Sequence, residues 1–110
     1  MDKSNENKAE SVGLKNGIYI KGIVISNSAR KITKKDGKVT VMVKHELSIE
    51  PGVAVLDEFI DPAADNRVSL EGDKVKKFPE LTKYQPVTVR VGRYRDFNKQ
   101  FHGSDWELVN

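Results

Sequence analysis

Residues 84–110, YQPVTVRVGRYRDFNKQFHGSDWELVN, carry a two-residue alternation in which Val87, Val89 and Val91 are separated by Thr88 and Arg90. That period puts apolar and polar side chains on opposite faces of an extended strand and does not match the 3.6-residue repeat of a helix. A second short run, Trp106 to Val109, follows a loop, so the segment predicts a hairpin with a long tip. The same alternation occurs at Val39, Val41 and Val43 against Thr40, Met42 and Lys44. Both stretches have one apolar face to bury, and the class they predict is all-β.

The remaining strands follow from their punctuation. Gly17–Ser26, GIYIKGIVIS, is rich in β-branched residues and reads as the first strand, with Gly22 as the site of a bulge or bend that lets one strand serve two sides of a small barrel. Asp36-Gly37, flanked by lysines, is a strong hairpin signal and joins it to a second strand, Lys38 to about Ile49. Pro51-Gly52 is a turn, and Val53–Ile60 makes a short apolar third strand. Between this strand and the last pair, Asn66–Asp73 reads as loop or a short strand with Gly72-Asp73 as a turn, and the rest as short helical turns. Asp61-Pro62 suits an N-cap followed by the first helical position, and Val75, Phe78 and Leu81 recur at spacing three, although Pro79 forbids a long helix.

Composition narrows the functional classes. At 110 residues the chain supports one domain, expected over residues 13–110 behind a disordered polar arm, residues 1–12. The absence of cysteine removes disulfides, thiolate zinc sites and cysteine nucleophiles. His45 and His102 have no paired ligand spacing, so no metal and no cofactor is expected. No phosphate-cradling glycine loop, nucleophile elbow or HExxH pair occurs, and the expectation is a non-catalytic protein. No stretch resembles a membrane span or a signal peptide, so the expected location is the cytoplasm.

Charge is unevenly placed. Residues 13–50 hold eight Lys or Arg against three acids, residues 83–110 five against three, and residues 51–82 four against seven. The cations therefore gather where the two hairpins fall. Arg30, Lys31, Lys34, Lys35 and Lys38 lie at the tip of the first, with Lys44 along its second strand. Arg90, Arg93, Arg95 and Lys99 lie in the last, interleaved with Tyr94, Phe97 and Phe101. Cations for phosphates and flat rings for bases are what a single nucleic-acid strand requires. Lys44 and Arg90, if their strand faces adjoin, extend one basic track. Trp106 is read as core.

A long hairpin, a short third strand, an irregular connection and a final hairpin together fit a five-stranded Greek-key barrel of the OB type. The ligand surface of that fold lies on strands 2 and 3, flanked by the loops joining strands 1 to 2 and 4 to 5. On GIYIKGIVIS, the lysine-flanked DG hairpin and VTVRVGRYRDFNKQF, residues 15–110 resemble the single-stranded DNA-binding OB proteins, especially the small ones of phages, plasmids and other mobile elements. The resemblance implies a protein that coats single-stranded DNA with little sequence preference, in replication or a related process, and that assembles as a homo-oligomer, with a dimer expected. The replicative bacterial members end in a glycine-rich linker and an acidic tail, whereas this chain stops after its closing strand, which favours an accessory role. RNA is a substitute ligand, since phosphate and ring contacts do not distinguish it. The rival expectation, from another class, is a small β-barrel used for protein interaction or assembly, with Phe97 and Phe101 as its apolar patch.

Overall fold

The computed structural model describes residues 15–50, 52–97 and 100–109, Phe97 by its backbone alone. The arm expected over residues 1–12 lies outside the described residues. Seven strands form: β1 (Ile18–Thr33), β2 (Val39–Ser48), β3 (Val53–Ile60), β4 (Ser69–Glu71), β5 (Lys74–Lys77), β6 (Pro86–Phe97) and β7 (Gln100–Leu108). Five of them close into a ring in the order β1-β2-β3-β7-β6, antiparallel throughout except for the parallel pair β3–β7. The chain is all-β, and no helix occurs among its described residues.

The helical turn expected between the third strand and the final hairpin is corrected. Lys74–Lys77 is a strand, paired with β4 across a tight turn at Gly72, whose φ of 63° favours a residue without a side chain. Spacing of three between Val75 and Phe78 carries no helix here. Both side chains lean on the ring's lower core while Lys74, Lys76 and Lys77 stay in solvent. At Asp61 the chain makes one hydrogen-bonded turn, Asp65 N–H to Asp61 O at 2.9 Å, and does not continue it.

β1 is longer than its β-branched core suggests, and it does serve two sides of the ring. Ile18–Ile23 pairs with β6, and Ile23–Thr33 pairs with β2. The register shift lies between Val24 and Ser26, past Gly22. Gly22 is needed for a different reason: a Cβ there would lie 2.8 Å from the Ser48 carbonyl oxygen. The Lys34–Lys38 turn closes as the DG pair predicts, with Gly37 at φ 87° and the Asp36 carboxylate accepting from Lys38 N–H at 2.9 Å.

Alternation then decides the core. Val41, Val43, His45 and Leu47 of β2 point inward, as do Leu56 and Ile60 of β3 and Val89 and Val91 of β6. Two clusters result. One gathers Val24, Leu47, Leu56, Val89 and Val91, with Phe101 and Trp106 against it, and the other gathers Val41, Val43, Ile60 and Val68 under the β4–β5 hairpin. Each fully buried side chain of this size contributes about 1.5–3 kcal/mol relative to exposure.

One core position is polar. His45 is 1% exposed, and burial pulls its imidazole below the ordinary value against a weaker upward pull from Glu58. Asn27 satisfies it. The Asn27 amide donates through Nδ2 to the Leu81 carbonyl at 2.9 Å and accepts at Oδ1 from Leu81 N–H at 3.1 Å, which fixes the orientation of the amide. The same Oδ1 lies 2.6 Å from His45 Nδ1, so that nitrogen carries the proton and donates. The rings of His45 and Trp106 meet in a T, centroids 5.3 Å apart and planes at 85°, and Trp106 Nε1–H donates to the Asp57 carbonyl at 3.1 Å. Hydrogen bonds thus join the 78–85 connection to His45 in the core, and a ring contact with Trp106 links His45 to the backbone of β3.

Candidate nucleic-acid interface

The outer face of the ring follows from what the inner face leaves over. On β2 it carries Met42 and Lys44, and on β3, in register with them, Phe59 and Asp57. On β7 and β6 the ladder is interrupted at Asp105, which adopts φ 53°, and at Gly92, where any Cβ would collide with the Asp105 carboxylate. Beyond the interruption the inward positions change phase. Gly103 and Phe101 face the core, and their paired strand brings Tyr94 to the Phe101 side, leaving Arg93 opposite Ser104 and Arg95 opposite His102 on the outer face. An open cleft of about 350 Å³ results, lined by Asp57, Phe59, Arg93, Tyr94, Arg95, His102, Gly103 and Ser104.

Two aromatic rings reach solvent there. Phe59 is 62% exposed and Tyr94 58%. Tyr94 is already stacked on Phe101, centroids 5.3 Å apart and planes 9° from parallel, so one of its faces is supported from below. Phe101 itself is half-buried and packs on the upper core.

The predicted cations divide into groups. Lys44 lies on β2 between Ser28 and Asp57, and Arg30 is exposed on β1 opposite Met42, on the same outer face. Arg93 and Arg95 line the cleft. Lys34, Lys35 and Lys38 are exposed at the β1–β2 tip, and Lys38 and Lys44, six residue steps apart along the strand, are about 20 Å apart. Lys31 turns to the other face, where its Nζ lies 3.4 Å from Asp73 Oδ1 and from the Gly72 carbonyl. Lys99 and the Phe97 side chain lie outside the described residues.

Arg90 does not join Lys44. In the ring order β1 separates β6 from β2 on one side, and β3 and β7 separate them on the other. Arg90 instead donates from Nε to Glu107 Oε2 at 2.7 Å and from Nη1 to the Asn16 carbonyl at 3.2 Å. The bond to Arg90, with Lys15 at 3.6 Å, holds the Glu107 carboxyl below its ordinary range, and Glu107 raises Arg90 in turn. Arg67 is tied down in the same way by Asp65 and Glu58.

Phe59, Asp57 and Ser104 were not foreseen as nucleic-acid contacts. No clear local signal marked Phe59: in VAVLDEFI its phase holds Asp57 but also the buried Val55, and the phase of the buried Leu56 and Ile60 also holds Glu58. Among the described residues no group of three or more His, Cys, Asp or Glu is arranged to hold a metal ion. Comparison with protein-family models, curated proteins and solved structures returns no match.

Proposed function

We propose that this chain is a non-catalytic single-stranded DNA-binding protein on an OB-type Greek-key barrel, reading the strand through phosphates and ring faces with little sequence preference. The ring order with its single parallel pair supports the barrel assignment, since it is the order an OB-type barrel requires. The observation that carries the function is Phe59. A lone exposed ring needs no ligand. This one sits on an outer sheet face with Lys44, Arg30, Arg93 and Arg95 on the surrounding strands and with Tyr94 lining the same cleft. Stacking of a base on such a ring is worth about 1–3 kcal/mol, and the four cations offer phosphate contacts to either side.

The test is a fluorescence-anisotropy titration with labelled oligo-dT of about thirty nucleotides, long enough for several sites. With four phosphate contacts on a single strand the salt slope is about −2.8, which weakens binding about fiftyfold between 50 and 200 mM salt. Phe59→Ala and Tyr94→Ala each weaken binding at least about fivefold. Affinity that rises or stays level with salt, or rings whose removal changes nothing, would instead favour the protein-interaction module. The patch of that rival reading has lost a member, because Phe101 is half-buried beneath Tyr94. Equal binding of oligo-rU would widen the ligand to RNA.

A further inference from the structure

Asp57 is out of place on a surface that holds phosphates. Its carboxylate lines the cleft beside Arg93 and Arg95, is 21% exposed, and lies 4.0 Å from His102 Nδ1, too far for a hydrogen bond. A carboxylate can only accept, so toward a DNA backbone it contributes repulsion. It becomes favourable when the ligand brings donors, and in single-stranded DNA those donors are on the bases.

The geometry points to a guanine-selecting subsite in this cleft, with Phe59 stacking the base and Asp57 accepting from its Watson–Crick edge. This deepens the proposed function and rests on it. Phe59 and Asp57 are two residues apart on one face of β3, which sets them about 6.6 Å apart along the strand. A base lying over the ring reaches that far with its edge plus one hydrogen bond of about 2.9 Å. Guanine presents two adjacent donors there, N1–H and the N2 amine, which match the two oxygens of a carboxylate. Adenine and cytosine present one amine beside a lone-pair nitrogen, and thymine one N–H between two carbonyls, so each turns an acceptor toward Asp57. Ser104, on the neighbouring strand of the cleft, offers a hydroxyl to the same base, and Arg93 reaches the flanking phosphate. Low preference along the rest of the strand is unaffected, because only this position carries a directional acceptor.

The test uses labelled oligo-dT of about twelve nucleotides carrying one central dG, dI or dT, with the full chain. Inosine keeps N1–H and lacks the N2 amine. Wild type is expected to bind the dG oligomer about tenfold or more tighter than the dI and dT oligomers, the discrimination typical of a bidentate pair. Asp57→Asn, checked for folding by circular dichroism, removes the preference, so that the dG, dI and dT oligomers bind it alike. Wild type binding dG, dI and dT oligomers equally, or Asp57→Asn keeping the preference, overturns the subsite and leaves the proposed function standing. No binding of any oligomer at low salt overturns both.

Discussion

Replacing Asn27 with Ala removes three hydrogen bonds at once, and the structure says which of them matters. Two join the side chain to the Leu81 backbone, which is half-buried and can turn to water. The third satisfies His45, which is 1% exposed and has no such recourse for its Nδ1 proton. Losing the Leu81 pair costs about 0.5–1 kcal/mol per bond, and stranding the buried donor costs a further 1–3 kcal/mol, so the variant should lose about 3 kcal/mol. For a domain of this size that is a fall in Tm of about 15 °C and a large part of a typical 5–15 kcal/mol total. Urea unfolding followed by Trp106 fluorescence suits the measurement, because the ring of the single tryptophan lies 5.3 Å from that of His45. Asn27→Asp is the control: it keeps the acceptor for His45 and for Leu81 N–H, loses only the donor, and should be the milder change at neutral pH. A loss below about 1 kcal/mol for Asn27→Ala at unchanged m-value would refute the claim that this amide bears the core's polar cost.

Three further outcomes are expected. Because burial lowers the pKa of His45, the unfolded chain binds the extra proton first; the associated stability is fully present above the ordinary value near 6.5 and is lost as pH falls from there through the folded value. Urea midpoints should therefore drop between pH 7.5 and 5.5, and a folded His45→Gln variant should lose that slope. Gly103→Ala places a methyl 2.8 Å from Val91 Cγ1 and 3.2 Å from Leu56 Cδ2, an overpacking that should cost about 1–3 kcal/mol in the same assay. The dimer expected from the sequence resemblance has a candidate surface in Ile23 and Ile25, exposed at 46% and 36% on β1; if it forms there, sedimentation should give a dimer for wild type and a monomer for the Ile23→Lys, Ile25→Lys double variant.

The strands were legible where alternation had one meaning. Val39 to Val43 and Val87 to Val91 face a single core, and the lysine-flanked DG pair admits one kind of turn. Of the hairpin Ser69–Lys77, the first strand and the Gly72-Asp73 turn were open to reading as a short strand or loop, but the second strand was not legible, because Val75 and Phe78 at spacing three also fit a helical turn, and only the lower core beneath them decides. The site was partly legible. Tyr94 and the cations of β6 follow from local composition, but Arg90 was lost to Glu107, a partner seventeen positions away whose register depends on the β6–β7 ladder. Asn27 and His45, eighteen positions apart in a hairpin, gave no local sign that they would meet.

The division of β1 between two neighbours bears on how the chain folds. Its second half meets β2 across a short turn, whereas its first half must wait for β6, with Ile18 finding Val91 only after most of the chain has been laid down. Parallel pairing of β3 with β7 adds a second distant closure. Contacts of this kind require loop entropy to be lost before they reward it, which places folding in the millisecond-to-second range and not the microsecond range of helical bundles. Until the ring closes, the first half of β1 and the Pro86–Val91 edge of β6 wait unpaired for each other, and two chains at high concentration can satisfy each other's edges before either satisfies its own.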